Sequence, residues 1–209
     1  MRAWIFCAAK VSAEEAIFCR RLKFGKDDMI RCADGGNNTA AAIGVTPNIV
    51  IGDMDSVKGT LPPTVRRAVH PRNKDKTDLD LCIDYALGIG CTEIILLCAN
   101  GGRIDHSLAA LISLRRITEA GAEGMLLTKR GKVFMIRGKT SVKRGEYSKI
   151  SLIPVTDTVK GVTTEGLQYA LENATLRQTD NLGVSNAFST VEASVDVKEG
   201  ILCIVCETE

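Results

Sequence analysis

Aromatic residues are scarce in this sequence, only 4% of 209, so a planar ring bound by the chain has few stacking partners. Neither sign of charge is in large excess: 27 Lys and Arg face 25 Asp and Glu, a net of +2. That balance offers no basic stripe for nucleic acid and no patch for a membrane surface. No apolar run approaches the roughly 18 residues needed to span a bilayer. The opening W-I-F-C-A-A meets Lys10 too soon to be a signal-peptide core. There is no G-x-x-x-x-G-K-[ST] phosphate loop, and G-I-G-C-T-E at Gly88 fails as a dinucleotide fingerprint.

The eight cysteines include no second C-x-x-C to complete a zinc site. Cys203 and Cys206 form the one such pair, and a three-residue offset in a strand points them to opposite faces. Cys7, Cys98 and Cys203 lie in apolar runs, and Cys19 and Cys82 in helical patterns, where free Cys acts as a small hydrophobe. A reduced, cytoplasmic protein is expected. Hydrophobic residues make up 45% of the chain and the mean hydropathy is +0.06, as for a globular protein with a proper core.

The chain divides by texture. Up to residue 129, apolar β-type runs at 3–9, 29–33, 49–51, 93–98 and 125–128 alternate with helical patterns. A weaker strand is expected at 67–70. Ser12 with Glu15 forms a capping-box signature for a helix to about residue 24. Further helices are expected at 38–43, from Thr77 to Leu87, and at 107–120. Such alternation predicts an α/β domain with a mostly parallel, Rossmann-like sheet over 1–129. From 130 to 209, short β-type segments (133–137, 150–155, 188–195, 201–207) punctuated by Gly and Pro predict an all-β sandwich or barrel.

Chemistry-bearing residues collect where the strands of the first part end. In I-V-I-G-D-M-D-S, Asp53 and Asp55 follow a buried-strand signal after Gly52. In extended backbone, residues two apart point the same way, toward the edge where α/β sheets bind ligands. Two such carboxylates repel unless a cation lies between them, and Mg²⁺ with phosphate suits a site of this kind. Three more clusters fall at similar places: Asp34-Gly35-Gly36, Lys74-Asp75 with Thr77-Asp78, and Gly101-Gly102-Arg103 with Asp105-His106. Glycines let backbone N–H groups approach phosphate oxygens, and helix N-termini add positive potential. Lys74 and Arg103 can take developing charge, while carboxylates hold Mg²⁺. Taken singly, each cluster also reads as an ordinary turn or helix cap.

These residues resemble the thiamine pyrophosphokinase family. The matching pieces are A-D-G-G at Ala33 to Gly36, P-N-I-V-I-G-D-M-D-S at Pro47 to Ser56, K-D-K-T-D at Lys74 to Asp78 and G-G-R-I-D-H at Gly101 to His106. G-L-Q-Y-A-L at Gly166 to Leu171 and L-G-V-S-N at Leu182 to Asn186 look like the family's thiamine-binding β domain. Two departures are visible: Tyr169 stands where some members have Trp, and Asn37-Asn38 follow the glycines where small residues are common.

The resemblance implies transfer of pyrophosphate from ATP to the hydroxyl of thiamine, giving thiamine diphosphate and AMP. It implies Mg²⁺ on Asp53, Asp55, Asp75 and Asp78, with Arg103 and Asp105 joining them as catalytic residues. ATP and its phosphates fall to Asp34, Gly35, Gly36, Lys74, Thr77, Gly102 and His106, and thiamine to Tyr169, Ser185 and Asn186. It further implies a homodimer with shared sites and no nucleic-acid or membrane partner. Asp78 and Asp105 both stay open as general base. Two alternatives stand beside this reading: a metal-dependent nucleotide phosphohydrolase, and a non-catalytic nucleotide- or thiamine-binding protein.

Overall fold

A computed structural model describes residues 1–101 and 103–208. The chain forms two compact units, Met1–Lys129 and Arg130–Glu209.

The first unit holds β1 (Arg2–Phe6), α1 (Ala13–Arg21), β2 (Met29–Ala33), α2 (Gly36–Ala42), β3 (Ile49–Gly52) and β4 (Arg66–Val69). It continues with α3 (Asp78–Gly88), β5 (Glu93–Leu97), α4 (Ile104–Glu119) and β6 (Glu123–Thr128). Its strands lie in the order β4-β3-β2-β1-β5-β6, and every pair is parallel. The order runs backward from β4 to β1 and then jumps to β5, so the direction of winding reverses at β1 and β5. That switch point is where doubly wound sheets open a crevice.

Burial explains why the strand runs lack alternation. Trp4, Phe6, Cys32, Val50, Ile95 and Leu97 pack with Cys19 of α1 and Ala40 of α2. Their neighbours Ile5 and Arg31, paired in register, face the other way, toward Tyr85 of α3. Arg31 is 0% exposed, with its guanidinium carbon 5.2 Å from the Tyr85 ring centre. Helices α3 and α4 are tied by Arg116, which bonds Asp80 at 3.1 Å and pairs with Asp84.

Ser12 caps α1 as expected, accepting the Glu15 N–H at 3.1 Å. The reciprocal half of the box does not form, because the Glu15 carboxylate accepts the Lys129 N–H instead. Helix α1 ends at Arg21, short of residue 24. Helix α4 starts at Ile104, one turn before residue 107.

The second unit contains β7 (Gly131–Ile136), β8 (Thr140–Lys143), β9 (Lys149–Pro154), β10 (Thr158–Glu165), β11 (Ala174–Arg177), β12 (Glu192–Asp196) and β13 (Leu202–Glu207). Strand β13 pairs antiparallel with β7 and β9. A separate antiparallel sheet has the order β11-β10-β12-β8. Ile150, Leu152, Leu202 and Ile204 pack against Val142, Val159, Leu176 and Val195, so the two sheets close a sandwich over one core. Strands β8, β10 and β11 lie outside the expected segments, and the expected 188–195 strand is Glu192–Asp196. Cys203 and Cys206 are buried and free. Burial pushes their thiols up to about 12 and about 11, so neither is a thiolate at neutral pH.

Candidate active site

A cleft of about 270 Å³ opens at the switch point. Its walls come from the residues that follow β1 (Cys7, Ala8, Ala9), β2 (Asp34), β3 (Asp53, Asp55, Ser56) and β5 (Cys98, Ala99). Thr77, Asp78 and Leu79 at the start of α3, and His106, Ala109 and Ala110 of α4, complete it. The small residues after β1 and β5 leave the space that the polar groups surround.

Three carboxylates meet here. Asp34, Asp53 and Asp55 each offer one oxygen, and these lie within 4.8 Å of one another. Asp34 arrives because Ala33 pairs with Ile51 in register, which sets the residue after β2 beside Gly52. Its N–H bonds the Ile51 carbonyl at 2.9 Å, its φ is +43°, and it is only 6% exposed. Asp34 Oδ1 is buried without a hydrogen-bond partner, an arrangement that costs free energy unless a ligand completes it. An all-oxygen, all-anionic donor set fits a hard divalent cation such as Mg²⁺.

The convergence of Asp53 and Asp55 does not come from extended backbone, as the sequence reading expects. Met54 between them has φ +65°, a left-handed turn. Asp53 Oδ1 accepts the Asp55 N–H at 3.1 Å, and Met54 packs onto the apolar core beneath. That anchoring offsets a conformation costing about 1–2 kcal/mol for a residue with a Cβ. The Asp55 N–H holds Asp53 below the usual carboxylate range, with help from Lys74 and Arg72.

Asp78 opens α3, whose cap is Thr77. Thr77 Oγ1 accepts the Asp80 N–H at 3.1 Å, and Asp80 Oδ2 accepts the Thr77 N–H at 3.2 Å, a complete capping box. Burial pushes the Asp78 carboxyl up, against the pull of the Lys74 ammonium 3.1 Å from its Oδ1 and with the push of Asp34 and Asp53. Lys74 also donates to the Pro71 carbonyl.

Asp75 is exposed and lies outside both the cleft lining and the three-carboxylate group. Arg103 and Asp105 are also outside the lining and pair with each other at 2.6 and 3.1 Å. That pairing pulls Asp105 down to about 2. Gly102 lies outside the described residues. Gly35 precedes α2, and a Cβ on Gly36 would stand 2.0 Å from the Phe6 carbonyl oxygen, so only glycine lets α2 approach β1.

In the second unit Tyr169 is 65% exposed. Asn186 is buried, and its amide clasps the Tyr169 backbone: Oδ1 accepts the Tyr169 N–H at 3.0 Å and Nδ2 donates to the Tyr169 carbonyl at 2.7 Å. Ser185 has φ +60°, and its N–H bonds Ser151 Oγ.

Four features escape the sequence reading. Asp34 joins the carboxylate group, a placement that aligning the ends of neighbouring strands would have suggested. Arg72, 3.8 Å from Asp55, sits in a segment with no periodic signal. Ala8 and Ala9 after β1 read as strand rather than wall. Asn38 reaches the loop that carries the two Asp residues.

Comparison with known proteins places these features in a family. Residues 21–126 match the model for the thiamin pyrophosphokinase catalytic domain, and residues 139–202 that for the thiamin pyrophosphokinase vitamin B1 binding domain. The thiamine pyrophosphokinase of Bacillus subtilis is 27% identical over 183 residues, covering 84% of this chain and 86% of that one. Thiamin pyrophosphokinase 1 of Caenorhabditis elegans is 27% identical over 154 residues, covering 69% and 63%. The crystal structure of the Bacillus subtilis thiamine pyrophosphokinase superposes with a TM-score of 0.87 over 100% of both chains at 22% identity. Thiamin pyrophosphokinase from Candida albicans gives 0.77 over 100% and 90%, at 15% identity. At these identities the structural likeness speaks for the fold.

Proposed function

The chain belongs to the thiamin pyrophosphokinase family, kinase-type transferases that use ATP, and from that premise we propose that it converts ATP and thiamine into AMP and thiamine diphosphate with Mg²⁺ at the carboxylate group. The observation that carries the reading is Asp34: a buried, unpartnered oxygen on a carboxylate that shares a site with Asp53 and Asp55. Asp34, Asp53 and Asp55 would hold the ion, with Asp78 alongside. Bound there, Mg²⁺ neutralises phosphate oxygens and orients the polyphosphate.

The protein's own groups then account for the transfer. The thiamine hydroxyl oxygen bonds to the β-phosphorus as the bond from that phosphorus to the oxygen bridging the α-phosphate breaks, and AMP leaves with that oxygen. The hydroxyl proton goes to a carboxylate. Of the two candidates, Asp78 lines the cleft and has its basicity raised by burial. Asp105 lies outside the cleft lining, so it is less well placed than Asp78 to take the proton. Arg103 exchanges its Asp105 partner for phosphate oxygens, and Lys74 adds positive charge beside Asp78. In the second unit, Tyr169 offers an exposed ring to the flat acceptor, held in place by Asn186.

We propose a homodimer in which one copy's phosphate residues work with the other copy's acceptor residues, because the two sets fall in different units. Mixing inactive Asp55→Asn with an inactive Ser185→Ala/Asn186→Ala protein would then restore roughly a quarter of wild-type activity after random exchange. A reducing compartment, the cytoplasm, suits eight unpaired cysteines. No helix among the described residues is long and apolar enough to cross a membrane.

The metal assignment is tested by titrating Mn²⁺ into wild-type, Asp53→Asn and Asp55→Asn proteins. Tight binding lost in both variants supports the assignment. Equal binding in all three contradicts it.

A further inference from the structure

The carboxylate group is assembled from two loops, one after β2 bearing Asp34 and one after β3 bearing Asp53 and Asp55. A cation site is only as good as the fixed distance between such donors, since carboxylates that drift apart gain less from an ion and repel more freely. Asp34 belongs to the turn that starts α2, because its carbonyl accepts the Asn37 N–H at 3.1 Å. The next residue, Asn38, reaches across to the other loop. Its Nδ2 donates to the Ser56 carbonyl at 2.8 Å and its Oδ1 accepts the Lys58 N–H at 2.8 Å. Ser56 in turn donates its hydroxyl to Asp55 Oδ1 at 2.8 Å. Gly35 lets the loops meet closely, since a Cβ there would stand 3.2 Å from the Ser56 Cβ.

Resting on the Mg²⁺ reading above, we propose that Asn38 is a positioning residue that locks the Asp53–Asp55 loop to the Asp34 turn and so sets the affinity for the divalent cation. Its amide meets two backbone groups that flank Val57, so it holds the loop's path without depending on the loop's side chains. No other residue type at position 38 presents a donor and an acceptor side by side at this reach, except Gln with one extra methylene. Asn38 is neither one of the grouped carboxylates nor itself part of the cleft wall, and its amide meets the loop only at the Ser56 carbonyl and the Lys58 N–H, so its effect reaches the ion through the loop.

The test is Mn²⁺ titration followed by the spectroscopic signal of the free ion, on wild type, Asp55→Asn, Asn38→Ala and Asn38→Gln, with thermal unfolding measured in metal-free buffer. Outer-shell partners of this kind are worth about 10–100-fold in metal affinity. Asn38→Ala is expected to weaken Mn²⁺ by that factor, and Asn38→Gln by less. In turnover, the Mg²⁺ concentration for half-maximal rate rises in parallel, while kcat at saturating Mg²⁺ and KM for thiamine stay within about twofold. If Asn38→Ala does not fold, Asn38→Gln carries the comparison. Wild-type Mn²⁺ affinity in a folded position-38 variant, with binding lost in Asp55→Asn, overturns this inference alone. Undiminished binding in Asp55→Asn overturns the Mg²⁺ reading and this inference with it.

Discussion

Gly52 and Asp34 stand so close that a Cβ on the glycine would lie 2.7 Å from the Asp34 Cβ and 3.1 Å from Asp78 Cγ. Gly52 also has φ +155°. Absence of a side chain at the end of β3 is therefore what lets Asp34 and Asp78 both close on that strand end. Gly52→Ala should cost about 1–3 kcal/mol through overpacking and displace Asp34, weakening Mn²⁺ binding by at least tenfold. Urea unfolding and Mn²⁺ titration check both; a stable variant with wild-type affinity contradicts the crowding argument.

Asp78 predicts a pH dependence. Burial raises its folded pKa, so the native state keeps this proton above the ordinary Asp value of about 3.9. Between that value and the raised one, the native state binds more protons than the unfolded chain, and stability falls as pH rises. Asp78→Asn cannot titrate and should lose that slope, measured as Tm against pH in metal-free buffer. A slope unchanged by the substitution would assign it to another group. The same variant should lose about 10²–10³ in kcat if the carboxylate takes the proton.

Arg103 and Asp105 form an exposed, two-pronged pair. If the guanidinium grips phosphate oxygens during turnover, Arg103→Lys, which keeps charge but not the fork, should lower kcat/KM for ATP by about tenfold or more. An ordinary surface residue would tolerate the exchange. Full activity in both Arg103→Lys and Arg103→Ala would show that it is one.

Tyr169 and Asn186 should act as a unit. Asn186→Ala removes the clasp on the Tyr169 backbone, costs about 1–3 kcal/mol and should raise KM for thiamine while leaving KM for ATP unchanged. Tyr169→Ala should do the same to KM. Because Asn186 works through Tyr169, the double variant should fall well short of the product of the two effects. Full multiplication would mean that Asn186 contacts the acceptor independently.

Legibility from the sequence followed how local the deciding interactions are. Ile49 to Ile51 announces a strand buried on both faces because each side chain is apolar, and Thr77 announces a cap because its partner Asp80 is three residues away. The fate of Glu15 is decided by Lys129, 114 residues on, which no local pattern reveals. The left-handed turn at Met54 is equally hidden, since Met carries no bias toward positive φ. Strand β10 reads poorly because the register shifts between Val159 and Val162 around Gly161, breaking the alternation a strand is recognised by. Strands β8 and β11 are four residues each, with one buried position. The site edge was legible as four polar clusters; which carboxylates meet was not, because Asp34 joins Asp53 and Asp55 through strand register, and Asp75 sits on a segment whose course no motif dictates.

The most direct measurement of the central claim incubates the protein with ATP, Mg²⁺ and thiamine and resolves the nucleotide and thiamine products together. AMP and thiamine diphosphate should form in equal amounts, dependent on Mg²⁺ and abolished in Asp55→Asn. AMP or ADP released without a phosphorylated thiamine would make the protein a phosphohydrolase, and no turnover would make it a binding protein; either result would rule out pyrophosphate transfer to thiamine.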